Sequence, residues 1–322
     1  MGHVVRCLAL ADYLKEYHSC NIHFAMRQSE LGIDKVVESF PVLQTNEIDF
    51  NYKEWLIDCI TQTKSETLIM DMRDGLTKED LKLVKKRTGI KVVTIDDPED
   101  KRLESDLAFY PPVPQLMKTN WDGFEGELYI GWEYVIVRKE FLHKYPKRDN
   151  LIPNILVSMG GTDEKNMTKF VVNTLNEIKE EFKAIIIVGA GYPYLKQLNY
   201  FLDEVQFENE LYQNPANIAE IMSKTDFAII SFGQTAYELV ALKVPVIYLC
   251  LTKDHGESAQ LFEKERVGKS LGIYPINKEH LIEKVSNYLI EYGSIANLEC
   301  NVSLLNISLF NKISQSIFDE FQ

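Results

Sequence analysis

A phosphate-binding turn needs few residue types: an apolar strand, a glycine that lets backbone N–H groups approach an anion, and a helix whose positive end points at the same place. The run Ala228-Ile229-Ile230-Ser231-Phe232-Gly233-Gln234-Thr235-Ala236-Tyr237-Glu238 has that form. Gly233 supplies the close approach, and Ser231, Gln234 and Thr235 surround it with polar groups. Glu238 falls about one helical turn inside, where a carboxylate accepts hydrogen bonds from ribose hydroxyls. An ordinary strand-to-helix turn capped by Ser231 or Thr235 has the same letters. Met159-Gly160-Gly161-Thr162-Asp163 closes an earlier apolar run in a similar way, so the N–H groups of both turns can converge on one diphosphate. Gly189-Ala190-Gly191 also follows a strand, but Tyr192-Pro193 mark it as a plain turn, and no phosphate role is expected of it.

The chain has 322 residues, beyond the size at which one core usually keeps growing, so two domains are expected. Its hydrophobic content of 45% and charged content of 26% are ordinary for a folded protein. A formal net charge of -13 without a long basic run argues against a nucleic-acid surface and against an anionic membrane surface. No apolar run approaches the roughly 18 residues of a membrane span, and Met1-Gly2-His3 opens no signal-peptide pattern. Cys7, Cys20, Cys59, Cys250 and Cys300 are scattered, as expected of buried small hydrophobes in a reducing cytoplasm.

Strands and helices alternate along the chain. Val4, Val5, Leu8, Leu10, Ala11 and Leu14 recur at helical spacing from His3 onward. Strands are then predicted at Cys20–Met26, Val42-Leu43, Thr67–Asp71, Lys91–Asp96 and Leu107–Tyr110, with helices at Lys35–Ser39, Tyr52–Thr61 and Lys78–Arg87. The prolines Pro111, Pro112 and Pro114 end this half, Tyr129–Phe141 reads as a strand-rich connector, and Pro146–Pro153 as the linker. In the second half, strands at Ile155–Met159, Ala184–Val188, Glu210–Tyr212, Phe227–Ile230 and Val246–Cys250 alternate with helices at Lys165–Lys179, Tyr194–Leu202, Ala216–Ser223, Thr235–Leu242 and from Ser258. Helices at Lys278–Glu291 and Ser303–Phe321 finish the chain.

This pattern implies parallel sheets in two α/β domains, residues 1–148 and 149–322, with a ligand cleft between their strand C-termini. A doubly wound domain normally opens on a strand, whereas here the chain opens on the helix that should follow one. Either the amino-terminal start is incomplete or this half lacks a central strand; Val4, Val5 and Leu8 would otherwise face a gap in the sheet, so an incomplete start, with its first strand missing, is the expectation.

With these positions placed, the sequence resembles the UDP-sugar hydrolases of pseudaminic acid biosynthesis and their spore-coat-polysaccharide relatives, a PseG/SpsG-like family sharing the GT-B architecture of MurG-type glycosyltransferases. The matches are Gly2-His3-Val4-Val5-Arg6-Cys7-Leu8-Ala9-Leu10-Ala11, Ile95-Asp96-Asp97, Gly131-x-x-Tyr134-x-x-x-Arg138-x-x-Phe141, Met159-Gly160-Gly161-Thr162-Asp163 and Ser231-x-Gly233-x-Thr235-x-x-Glu238. The resemblance implies two Rossmann-like domains, a UDP-sugar substrate, a monomer or weak dimer, and no metal or other cofactor. It also implies that the C-terminal helix crosses back to the first domain.

The resemblance places the family's catalytic base on His3, beside Gly2. A nucleoside diphosphate is already a good leaving group, so one base that takes a proton from water suffices, unlike ordinary glycosides with their two carboxylates. A helix N-terminus disfavours an imidazolium and suits a ring that must accept a proton, although a capping or packing histidine has the same position. Arg6, one turn on, reaches either a phosphate or a strand-end acid. Asp71, Asp96 and Asp97 stand at strand ends, where acids cap helices, bond loops or ligate metals; the pair Asp96-Asp97 is expected to position sugar or water. His255 and Gln260, after the strand Val246–Cys250, are expected near the ligand.

Two departures concern the sugar side. Family members usually carry Asn-Gln where this chain has Ala259-Gln260, and Asp-x-Tyr where it has Asp71-Met72-Arg73-Asp74, so Arg73 replaces a tyrosine. Hydrolysis of a UDP-linked sugar is the leading reading. Transfer of the same sugar to an acceptor hydroxyl is the second, and a nucleotide-sugar-binding module without turnover is the third.

Overall fold

The computed structural model describes residues 2–27, 30–45, 50–73, 75–146, 150–290 and 312–321. Asp74, Cys300, the middle of the Pro146–Pro153 linker and the expected helix stretch Ser303 to Asn311, with Leu304, Leu305, Ile307 and Leu309, lie outside them. Two compact units divide the chain: Met1–Arg138 with Asn306–Gln322, and Lys139–Leu305.

In the first unit, α1 (Gly2–His18) leads to β1 (Phe24–Met26), α2 (Glu30–Val37), β2 (Val42–Gln44), α3 (Tyr52–Thr63), β3 (Thr67–Met70), α4 (Lys78–Thr88), β4 (Lys91–Ile95), β5 (Leu107–Tyr110) and β6 (Glu127–Ile130). All pairings are parallel, but they form two sheets: β1 with β2, and β3-β4-β5-β6. The expected strand-rich connector supplies β6 and then short 3-10 turns, because Gly131 and the Trp132–Tyr134 turn end the extended run. Helix α1 buries Ala9, Leu10, Ala11, Tyr13 and Leu14, whereas Val4, Val5 and Leu8, expected on the same face, are only half-buried.

In the second unit, β7 (Asn154–Ser158), α5 (Met167–Leu175), β8 (Lys183–Val188), α6 (Leu195–Leu202), β9 (Glu208–Gln213), α7 (Ile218–Ser223), β10 (Phe227–Ile230), α8 (Gln234–Ala241), β11 (Val246–Cys250), α9 (Lys253–Lys264), β12 (Lys269–Ile273) and α10 (Lys278–Ile290) follow in order. The six strands are parallel in the order β12-β11-β10-β7-β8-β9. Chain order therefore reverses between β7 and β10, the place where open α/β sheets bind ligands beyond their strand C-termini. Both faces are covered, and the strands read as unbroken apolar runs: Ile155, Leu156 and Val157 on β7 and Phe227 to Ile230 on β10 are all but completely buried. Helix α11 (Lys312–Phe321) places Ile313 and Ile317 against Leu10, Leu14, Ile95 and Phe109 in the core of the first unit.

Helix α5 starts at Met167, two residues later than the sequence pattern predicts, because the buried Asp163 carboxylate accepts from the amides of both Met167 and Thr168 at 2.8 Å. Those amides are two of the helix's free N-terminal donors, and Asp163 satisfies them. Asp163→Ala should therefore cost ~1–2 kcal/mol of stability, read as a lower urea midpoint with an unchanged slope.

Candidate functional site

The first unit gathers its polar residues at the amino end of α1 and the carboxyl ends of β3 and β4. Spacing of three residues puts His3 and Arg6 on one face of α1. They meet Asp71, which follows β3 and whose side chain is only 1% exposed. His3 Nδ1 lies 2.6 Å from Asp71 Oδ1. Arg6 grips the same carboxylate with two donors, Nε to Oδ2 at 2.7 Å and Nη2 to Oδ1 at 2.6 Å. Burial alone would raise the Asp71 carboxyl, but hydrogen bonds from His3 and Arg6, with the Arg6 charge, hold it below its ordinary value. An ionised carboxylate only accepts, so His3 donates to it from Nδ1, and in the neutral ring Nε2 is the lone-pair acceptor. The Cys7 thiol, 3.7 Å from Asp71, is pushed up by burial and by that carboxylate, and so is no nucleophile.

Asp96 follows β4 in the left-handed region at φ 51°, a conformation that aspartate tolerates better than most residues. The turn aims its carboxylate at Arg6 Nη1, 3.2 Å away, and at Arg73 Nη2, 3.3 Å away. Arg73 is half-exposed and Asp96 about a quarter exposed. Arg6, Arg73, Asp71 and Asp96 thus form one chain of ion pairs with His3 at its end.

Asp97 does not join them. Its buried carboxylate accepts from the amide of Glu99 at 2.9 Å and lies 3.3 Å from the fully buried Lys101 ammonium, while Tyr110 donates to its carbonyl. Asp97 is a fixture of the turn after β4, contrary to the expectation that both acids face a ligand, because neighbouring residues leave a strand end in opposite directions. The acids Asp71 and Asp96 are committed to cations of the chain itself.

In the second unit, the turns after β7 and β10 lie side by side at the sheet's switch point. Ser231 donates its amide to Ser158 at 3.3 Å, and a Cβ built on Gly160 would sit 3.5 Å from Ser231 Oγ. Gly160 has φ 93°, which requires glycine. A Cβ on Gly161 or Gly233 would meet nothing within 4 Å, so open space borders both backbones. Gly233 caps α8, and that helix's positive end faces the same space. Gln234 and Thr235 form its first turn, and Glu238 is buried one turn further on. Thr162 is exposed at the lip of the first turn. The amides of α5 itself are taken by Asp163, so the first turn offers its glycine backbone and not a helix end.

Phe232, which the sequence pattern passes over, anchors the second turn: its buried ring packs on Tyr237, Tyr248 and Phe262, with centroids 4.9 to 6.2 Å apart. The His255 ring is 6.0 Å from it, which ties the start of α9 to the glycine turn. Gln260 is exposed further along α9, and Gly2 is exposed at the start of α1. The Gly189–Tyr192 turn has a structural task in place of the plain turn expected. A Cβ on Gly189 would fall 2.1 Å from the carbonyl oxygen of Gly161, and Tyr192 donates to Asn166 at 2.7 Å, so this turn supports the loop after β7.

No family model matches the chain. Among curated proteins it is 27% identical over 267 residues to UDP-2,4-diacetamido-2,4,6-trideoxy-beta-L-altropyranose hydrolase of Campylobacter jejuni, covering 82% of this chain and 92% of that protein. It is 24% identical over 301 residues to the Bacillus subtilis spore coat polysaccharide biosynthesis protein SpsG, covering 91% and 86%. An uncharacterized Methanocaldococcus jannaschii protein, MJ1062, is 28% identical over 262 residues, 77% of this chain but 52% of that one, so the match spans about half its length. Among solved structures, MurG of Acinetobacter baumannii superposes with a TM-score of 0.66 at 14% identity, covering 100% of this chain and 96% of that one. Its fold is that of the GT-B glycosyltransferases. Anabaena HepE, solved with UDP-glucose, gives a TM-score of 0.63 at 12% identity, with 98% and 96% covered. The two Rossmann-like units expected from the alternating pattern are thus present, and the resemblance to hydrolase and SpsG stands in the sequence comparisons.

Two outcomes are expected. Gly189→Ala, which touches only the back of the loop, should displace Gly161 and cost ~1–3 kcal/mol through overpacking, checked by thermal unfolding. Asp71, held below its ordinary value, contributes stability that is fully present above about pH 4 and is lost as the pH falls through its lower folded value. The urea midpoint should therefore drop on acidification over that window, and Asp71→Asn should flatten the drop.

Proposed function

We propose that this protein hydrolyses a UDP-linked amino or deoxy sugar at its anomeric carbon, in nonulosonic (pseudaminic-type) acid or surface polysaccharide biosynthesis. The observation that carries the reading is the His3–Asp71 pair at 2.6 Å, which holds the ring by Nδ1 and leaves Nε2 as the nitrogen that takes the proton. Water gives a proton to His3 Nε2 as its oxygen bonds the anomeric carbon. The bond from that carbon to the diphosphate oxygen breaks, and UDP departs with the electron pair. Asp71 fixes the ring and stabilises the imidazolium that forms, as a buried carboxylate does in other histidine-based sites. Arg6 and Arg73, through Asp96, order the sugar side. In the second unit the backbones of Gly160, Gly161 and Gly233 and the end of α8 hold the diphosphate, with Ser231, Thr235 and Thr162 around it and Glu238, Gln234, His255 and Gln260 toward the nucleoside.

Support comes from the hydrolase of Campylobacter jejuni and from SpsG, whose names give the substrate class and the pathway type. The likeness to MurG favours a second reading, transfer to an acceptor hydroxyl, with the same base and the same nucleotide site. Acceptor dependence separates the two. Incubation with UDP-linked diacetamido-trideoxyhexoses and no acceptor should release UDP; release only after an acceptor is added would establish transfer, and binding without release would establish a binding module.

Two variants test the residues. His3→Phe should lower UDP release by ~10²–10⁴-fold while UDP affinity stays within about twofold, and survival of activity would remove His3 from the mechanism. Gly233→Ala should leave the melting temperature unchanged, since its Cβ meets nothing in the fold, yet weaken UDP binding by about tenfold, because the methyl occupies the space that the diphosphate needs. Calorimetric titration with UDP reads the second effect directly.

A further inference from the structure

The carboxylate of Asp96 is where two cations of the first unit meet: its Oδ2 accepts from Arg6 Nη1 at 3.2 Å and from Arg73 Nη2 at 3.3 Å. Through Arg6 it is joined to Asp71, and through Asp71 to His3. Its aim depends on a left-handed backbone at φ 51°, which a residue other than glycine keeps only when neighbouring bonds hold it there.

Two consecutive residues of β5 supply such bonds. The Asp96 amide donates to the Phe109 carbonyl at 2.8 Å, extending the β4–β5 ladder beyond the Ile95–Phe109 pair. The Tyr110 hydroxyl donates to the Asp97 carbonyl at 2.6 Å. The main chain is therefore gripped on both sides of Asp96. Side chains alternate along β5, so Phe109 enters the core and stacks on Tyr129 at 4.8 Å, while Tyr110 lies under the turn with its ring edge-on to Trp121 at 5.5 Å. Both are all but completely buried. Burial and the Asp97 carboxylate push the Tyr110 phenol above its ordinary value, so it stays a donor. The turn is tied down further on as well: the Asp97 carboxylate takes the Glu99 amide at 2.9 Å and lies 3.3 Å from the Lys101 ammonium. Arg102 donates to the Pro98 carbonyl at 3.3 Å, and its guanidinium lies 5.1 Å from the centre of the Trp121 ring.

We infer, resting on the function proposed above, that Tyr110 is a positioning residue: its hydroxyl, acting through the Asp97 carbonyl, fixes the left-handed turn and with it the point at which Asp96 holds Arg6 and Arg73. A phenol suits the task, because its ring is packed against Trp121 and its short O–H···O bond leaves the carbonyl little play. Removing the hydroxyl takes that donor away, and the turn relaxes toward the extended conformations that aspartate adopts more readily. Asp96 then moves off the two guanidiniums, Arg6 shifts on Asp71, and the His3 ring loses its fixed direction.

Tyr110→Phe removes the hydroxyl and keeps the ring. The kcat for UDP release from a UDP-linked diacetamido-trideoxyhexose should fall by ~10-fold or more, while UDP affinity stays within about twofold. A residue that only supports the fold would lower the melting temperature and leave kcat where it was. Asp96→Gly removes the carboxylate and suits the left-handed backbone. In that background Tyr110→Phe should slow release by less than about twofold, because Tyr110 then has no carboxylate to position. Unchanged kcat in Tyr110→Phe, or losses that multiply in the double variant, would overturn the inference. Hydrogen exchange tests the same bond without turnover: Tyr110→Phe should speed exchange of the Asp96 amide by about tenfold or more relative to amides in the body of β4. Equal acceleration throughout β4 would also overturn it. If the unaltered protein released no UDP, the hydrolysis reading would fail, and exchange at Asp96 would still decide whether Tyr110 sets the turn.

Discussion

One carboxylate joins the parts of the first unit that matter most. Asp71 sits at the end of a strand, out of water, and a charge in that position persists only if donors surround it. Arg6 and His3 of α1 are those donors, and the Cys7 thiol adds a third contact. Because both come from the first turns of one helix, the pairing fixes the rotation and depth of α1 against the sheet. The same bonds decide which nitrogen of His3 is bare. A structural requirement, the satisfaction of a buried charge, therefore also prepares the imidazole.

The second unit solves a different problem with different means. Its glycine turns present backbone beside open space. It brings together backbone amides at the one point where adjacent strands send their connections in opposite directions. Supporting residues are correspondingly apolar or small: Phe232 holds one turn from beneath, and Gly189 permits the backbone of the other to pass at contact distance. Asp163 releases the first turn from being a helix cap by taking that duty itself.

Much of this was readable from residue order, and the exceptions have physical causes. The glycine turns, the strand-end acids and the alternation of elements follow from local patterns that do not depend on distant partners. Asp96 and Asp97 look alike as letters, yet one turns out through a left-handed backbone and the other inward to Lys101, a choice made by burial of the turn. The start of α5 was misplaced because Asp163 and Asn166 adopt left-handed conformations before the helix begins, which propensity alone does not reveal. Strand β12 escaped notice since Lys269-Ser270-Leu271-Gly272-Ile273 is half polar and carries a left-handed glycine at an edge. On α1 burial is concentrated between Ala9 and Leu14, while Val4 and Leu8 pack only partly buried beside Val36 and Phe40.

The ion-pair chain in the first unit also sums to a definite charge. Its two guanidiniums and two carboxylates cancel one another. The chain as a whole carries -13. An anionic nucleotide, as proposed, then approaches a chain whose net charge has its own sign. Added salt screens that repulsion over about 10 Å at 0.1 M, so encounter should become faster with ionic strength, the opposite of an enzyme that steers its phosphates with a basic funnel.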